Sequence, residues 1–199
     1  MPGEVKTRLL PSIDPRAAAA LYEGMVLHSL RTAVAAAVGP VDLWCTPSAD
    51  HPFFLRCSRE FKARLRTQTE GDLGRRMAHA FNEILKISTS AILIGSDCPC
   101  LTENDLREAA AILQQGVHAV ISPAEDGGYV LLGLSQYAIE LFKGVPWGTG
   151  SVLEETRDRL RRLGWKWHEL PERWDVDRPE DLERLWREGC SDAIFHPLS

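Results

Sequence analysis

Ser90-Ala91-Ile92-Leu93-Ile94-Gly95-Ser96-Asp97-Cys98-Pro99 runs from four consecutive apolar residues into a glycine, an acid and a proline. An apolar run with no polar alternation is expected where both faces of a strand are covered, the mark of a central strand in a parallel sheet. Gly95 and Pro99 stop the strand and turn the chain, so the Asp97 carboxylate emerges just past its carboxyl end. Ligands of open α/β sheets bind in the crevice at that end. An acid there either caps the next turn or holds a divalent ion; magnesium is commonly bound by one or two carboxylates, with phosphate oxygens and waters completing its shell.

Working outward, helices and strands alternate. Downstream, Thr102 with Asp105 reads as a capping box opening a helix lined by Leu106, Ala110 and Leu113 and closed by Gly116. Val117 to Pro123 and Tyr129 to Leu134 read as strands joined by Ala124-Glu125-Asp126-Gly127-Gly128, a hairpin signal. Ser151 to Leu163 reads as a helix ended by Gly164, and Trp165 to Leu170 as a late strand. Pro179-Glu180-Asp181-Leu182 starts a terminal helix with Leu182, Leu185 and Trp186 expected inward.

Upstream, Asp14-Pro15 opens a helix striped with Ala18, Leu21, Tyr22, Met25 and Val26, ended by Gly39-Pro40. Val41 to Thr46 is a strand, and Pro52 to Arg64 is expected to be a second helix with Phe54, Cys57 and Phe61 on one side. Asp72 is placed to cap an amphipathic run whose apolar face is Leu73, Met77, Ala80, Phe81, Ile84 and Leu85. Strands alternating with helices imply a three-layer α/β/α domain, and nothing divides residues 1–199 into smaller units.

The bulk properties bound the function. A chain of 199 residues fits one core, since single cores stop growing beyond roughly 250 residues. Its formal net charge of −5 argues against a nucleic-acid reader, which needs a basic face. There is no run of roughly 18 apolar residues and no signal-peptide core at Met1-Pro2-Gly3-Glu4, so no membrane association is expected and the location is read as cytoplasmic. Cys45, Cys57, Cys98, Cys100 and Cys190 include no Cys-x-x-Cys pair and are read as reduced thiols; adjacent strand-end positions such as Cys98 and Cys100 seldom aim two sulfurs at each other.

Four further segments could carry chemistry. Asp175-Val176-Asp177 lies between the last strand and the terminal helix, where an acid can meet Asp97 across the crevice or favour the helix dipole. Glu125 and Asp126 precede two glycines, which let backbone approach a ligand but equally suit a tight turn. Lys6-Thr7-Arg8 offers two cations for a diphosphate, or a solvated surface. Trp147-Gly148-Thr149-Gly150 is either an aromatic platform for a sugar or acceptor or a hydrophobic anchor for its loop.

Taken together, Val5-Lys-Thr-Arg-Leu9, Gly71-Asp-Leu-Gly-Arg-Arg-Met77, Gly95-Ser-Asp-Cys-Pro99, Pro123-Ala-Glu-Asp-Gly-Gly-Tyr129, Pro146-Trp-Gly-Thr149 and Asp175-Val-Asp177 with Pro179-Glu-Asp-Leu182 match one family in order and spacing. The chain resembles the glycosyltransferase-like proteins of the radical-SAM/selenodomain-associated or arsenosugar-biosynthesis type, from Gly3 to about Trp186. The resemblance implies a Rossmann-like GT-A nucleotide-diphospho-sugar transferase fold with a mostly parallel, mixed sheet. It also implies a nucleotide-sugar donor, a small-molecule acceptor and a divalent ion, Mg2+ or Mn2+.

Carried over by motif, Asp97 and Asp177 look like the metal-proximal acids, with Asp97 and Asp126 the catalytic pair. Lys6, Arg8, Gly71, Asp72, Arg76, Gly127, Gly128, Trp147 and Thr149 look like the donor-binding set; the choice between Asp175 and Asp177 stays open. Three departures accompany the match. Family members carry a hydrophobic strand before the Pro-Gly segment, so the usual first strand is expected to be missing. Cys100 replaces a polar or acidic residue, and Arg178 stands where a capping Thr is usual, which is expected to weaken the last helix. The rival readings are nucleotidyl transfer to a phosphorylated small molecule and a non-catalytic nucleotide-sugar binder.

Overall fold

The computed structural model describes residues 3, 5–10, 12–190 and 194; Pro2 of the Pro-Gly motif lies outside the described residues. After a 3-10 turn at Thr7–Leu9 come α1 (Pro15–Ala36), β1 (Asp42–Cys45), α2 (Pro52–Phe61), β2 (Arg64–Thr67), α3 (Leu73–Ile84), β3 (Ala91–Ile94) and α4 (Glu103–Gln114). The chain continues through β4 (Ala119–Pro123), β5 (Tyr129–Leu134), a 3-10 turn at Ile139–Leu141, α5 (Val152–Leu163), β6 (Trp167–Glu169) and α6 (Pro179–Arg187).

The four-stranded sheet has the order β3-β5-β4-β6. β5 runs antiparallel to both β3 and β4, while β4 and β6 are parallel. β3, β4 and β6 therefore share one direction and end on one rim. β1 and β2 form a separate parallel pair, and no ladder joins that pair to β3 among the described residues.

Alternating side chains enter opposite cores, as a pleated strand requires. Ile92, Ile94, Val120 and Leu131 meet Leu106, Ala109 and Leu113 of α4, together with Ala36 of α1. Ala91, Leu93, Ala119, Ile121, Leu132 and Leu134 meet Met77 and Phe81 of α3 and Leu153 and Leu160 of α5. The result is the three-layer α/β/α arrangement with a mixed sheet.

The expected caps are present at three helices. Asp14 accepts from the backbone N–H of Arg16 and Ala17, Asp72 from Arg75, and Thr102 and Asp105 complete a reciprocal box. At α6, Asp181 Oδ2 accepts from the N–H groups of Asp177 and Arg178 at 2.9 and 2.7 Å, so the helix start is closed from inside despite Arg178.

Four expectations need correction. Among the described residues β3 pairs on one side alone and is only partly buried, and its ladder partner is antiparallel because the β4–β5 hairpin places its return strand beside it. The helix expected over Pro52 to Arg64 stops at Phe61, where Lys62 adopts φ 54°, and Arg64–Thr67 is a strand. Trp186 points outward at 60% exposure, because Leu182 and Leu185 already fill the inward stripe and the next position rotates by roughly 100°. Leu73, at the first turn of α3, is 52% exposed and takes no part in the apolar face expected of it.

Candidate functional site

Three loops converge at the shared rim: Gly95 to Leu101 after β3, the β4–β5 hairpin, and the segment after β6. Arg173 ties that last segment down, its backbone bridging Pro123 and Glu125 and its guanidinium gripping Asp105 Oδ1 at 2.6 Å. Beyond it the chain is extended, so alternate residues face opposite ways. Trp174 and Val176 enter the core with Leu9, Leu21, Met25 and Leu185, while Asp175 and Asp177 are only partly buried. Val176 N–H donates to the Asp97 carbonyl at 2.9 Å, which joins this segment to the β3 turn.

The N-terminal segment completes the site. Leu9 is fully buried and anchors it. Lys6 adopts φ 49°, an uncommon conformation for a side-chain-bearing residue and one that clusters at functional sites. Its Nζ donates to Asp97 Oδ2 at 2.9 Å and to the Val176 carbonyl at 2.5 Å, with the side chain only 8% exposed. Asp97 itself is 35% exposed, and Gly95 gives it room, since an added Cβ would lie 2.8 Å from its Oδ1.

Acidic charge accumulates around this ammonium. The Asp175 carboxyl is pushed up to about 6, first by burial, then by the charges of Asp97 and Asp126, with Lys6 opposing. Asp126 accepts from Gly128 N–H at 2.8 Å, a turn bond that holds its carboxylate at the hairpin tip. Asp177 is engaged by Arg8 at 2.5 Å. Lys6, Asp97, Asp126 and Asp175 thus share one electrostatic site, with the exposed Arg8–Asp177 pair at its edge.

The remaining sequence-selected residues surround the start of α3. Arg76 donates to the Gly71 carbonyl and to Gln68, while Asp72 is occupied as the helix cap. Trp147 packs on Gly74 and edge-on to Tyr129 at 6.4 Å, and its indole Nε1 is buried with no partner. Thr149 Oγ1 donates to the Pro146 carbonyl, closing its own loop. Gly127 joins the two groups: at φ +85° it lies so close to Gly150 that a Cβ would fall 2.2 Å from the Gly150 oxygen.

Between Asp175 and Asp177, which motif matching left open, it is Asp175 whose carboxyl feels the charges of Asp97 and Asp126. Its signal was local: Trp174-Asp175-Val176-Asp177 alternates apolar and acidic, which presents both acids on one side of an extended chain.

The geometry has relatives. No curated protein matches this chain in sequence. A crystal structure of a candidate nucleotide-diphospho-sugar transferase from Desulfovibrio desulfuricans G20 is 31% identical, covering 95% of this chain and 83% of that one with a TM-score of 0.86. CMP:2-keto-3-deoxy-manno-octonic acid synthetase complexed with CTP shares the fold at 12% identity and a TM-score of 0.58, over 84% of this chain and 88% of that one. Residues 29–149 match the model of one family, and the chain belongs to that family, DUF2064, described as uncharacterized proteins conserved in bacteria.

Proposed function

We propose that the protein is a metal-dependent glycosyltransferase that uses a nucleotide-diphospho-sugar donor bound at the rim of β3 and the β4–β5 hairpin. The observation that carries this reading is the buried Lys6 ammonium on Asp97, beside Asp175, in a site where carboxylates outnumber the enclosed cation. The chemistry of the donor set fits a hard divalent ion. Asp97 and Asp175 offer oxygen ligands only, and burial first, then the charge of Asp97, disfavours the ionised Asp175 carboxylate, a cost that a cation would relieve. No cluster of three or more metal-binding side chains occurs among the described residues, so Asp97 and Asp175 would need diphosphate oxygens and water to complete the shell.

Asp97 and Asp175 would hold Mg2+ or Mn2+, with Asp177 at the edge of the site; when bound, the ion supplies positive charge to the diphosphate. Lys6 and Arg8 neutralise the remaining phosphate charge, the kind of electrostatic stabilisation that favours a departing nucleoside diphosphate. Asp126, at the hairpin tip, orients or deprotonates the acceptor hydroxyl. Gly127 and Gly128 let the hairpin backbone approach the donor, while Gly71, Asp72 and Arg76 shape the wall at the start of α3. The resemblance to radical-SAM- or arsenosugar-associated transferases points to a small-molecule acceptor.

The test is a thermal-shift screen of nucleotide-diphospho-sugars with Mg2+ or Mn2+, followed by product analysis. A metal-dependent rise in melting temperature and release of a nucleoside diphosphate are expected. Release of pyrophosphate from a nucleoside triphosphate would instead establish nucleotidyl transfer, and no shift with any nucleotide would reject donor binding.

A further inference from the structure

The turn that carries Asp97 also carries Cys98 and Cys100, and the structure aims their sulfurs at each other. The two Sγ atoms lie 3.7 Å apart, contrary to the expectation that adjacent strand-end thiols diverge. Pro99 and Cys100 form a turn, which folds the second sulfur back onto the first. A disulfide requires roughly 2 Å between sulfurs, so forming one draws the two sulfurs together by roughly 1.7 Å and moves the turn with them. Cys98 is 3% exposed and packs in the core with Leu101 and Leu106. Cys100 is half-buried and its Sγ donates to the Trp174 carbonyl at 3.6 Å.

We propose that Cys98 and Cys100 are a redox-modifiable dithiol, which a hydroperoxide converts to a disulfide that reshapes the Gly95–Leu101 turn and so governs the placement of Asp97. The more accessible Cys100, as its thiolate, attacks one peroxide oxygen; an S–O bond forms, the O–O bond breaks, and the departing oxygen is protonated to water or alcohol. The Cys98 thiol then attacks the sulfenic sulfur. The S–S bond forms, the S–O bond breaks, and hydroxide leaves as water with the Cys98 proton. Two electrons pass from the sulfurs to the peroxide, and an external dithiol returns them.

Coupling to the site follows from connectivity. The Asp97 carbonyl takes the Val176 N–H and its carboxylate takes Lys6, so a shift in the next residue, Cys98, acts on both contacts. This coupling rests on the functional reading above, whereas the thiol chemistry does not.

Peptide mapping decides the chemistry. The tryptic peptide Ile87–Arg107 contains Cys98 and Cys100, no other cysteine and no internal Lys or Arg. After the folded full-length protein is treated with hydrogen peroxide, alkylated and digested, that peptide is expected unalkylated and lighter by the two thiol hydrogens. Dithiothreitol before alkylation should return it doubly alkylated. In Cys98→Ser, dimedone is expected to trap a sulfenic acid at Cys100. Two alkylated cysteines after peroxide, or a cross-link to Cys190 instead, would overturn the proposal.

The coupling has its own readout. Peroxide should abolish the melting-temperature rise produced by nucleotide sugar with Mg2+ in the native protein and leave it intact in Cys100→Ser. Equal rises in oxidised and reduced native protein would overturn the coupling. Absence of a rise even in reduced protein would strike the donor-binding reading, with the peptide map still deciding the disulfide.

Discussion

Lys6 and Asp97 are separated by 91 positions in the chain, yet their contact is the electrostatic centre of the rim. Neither charge is free to leave. The ammonium is nearly enclosed, and its carboxylate partner is tied through the backbone to Val176. Asp97→Asn is therefore expected to remove metal-dependent stabilisation by nucleotide sugar completely, checked by thermal shift. The cost to the metal-free fold should be about 2 kcal/mol, because the nearly enclosed Lys6 ammonium loses its counter-charge while the partial exposure of Asp97 limits the loss. Lys6→Met in the Asp97→Asn background should recover part of that loss, a non-additivity that a double-mutant cycle reads directly.

At the scale of elements, the segment after β6 owes its position to the Asp105–Arg173 pair that links it to the start of α4. Burial alone would raise the Asp105 pKa, but hydrogen bonds from Arg173 and Thr102 outweigh it and hold the carboxyl below its usual range. A depressed folded pKa means that the folded state binds fewer protons than the unfolded one. The pair's contribution is then complete above about pH 4 and fades as pH falls through the depressed value. Asp105→Asn should cost about 3 kcal/mol at neutral pH, as removal of one partner from a buried pair does, and should flatten the acid limb of a stability-versus-pH curve. Gly127→Ala meets both a positive φ and the Gly150 backbone. It should lower stability by about 2 kcal/mol, read as a shifted denaturation midpoint at unchanged slope.

How much of each element could be read beforehand depended on how local its determinants are. The capped helices were legible because Asp14, Asp72 and Thr102 act within one turn of the residues they serve. β2 was not, since Arg64-Leu65-Arg66-Thr67 carries one apolar residue and becomes a strand by pairing with β1, where Asp42 grips Arg64 and Arg66 at 2.6 Å each. The site divides the same way. Asp97 is singled out by its place after an apolar strand, whereas only the fold brings Asp175 under the charges of Asp97 and Asp126.

At the scale of the whole molecule, α1 binds the parts together. Its Ala36 joins the core over the sheet, Leu21 and Met25 the core under α6, and Val26 and Leu30 the core against α2. The β1–β2 pair and the four-stranded sheet are therefore expected to unfold as one unit, giving a single calorimetric transition over the 199 residues. Two resolved transitions would contradict that bridging role. None of the helices among the described residues is long and apolar enough to cross a membrane.

Local order determined a great deal from the chain alone: alternating strands and helices, capped helix starts, and an acid beyond an apolar strand. These follow from interactions over a few positions, which a linear pattern records. Only the tertiary structure decided that β3 pairs antiparallel to β5, that the Cys98 and Cys100 sulfurs meet, and that Lys6, Asp97 and Asp175 share one site. Each of those depends on where distant segments cross, and burial and charge at a crossing are set by residues far away in the sequence.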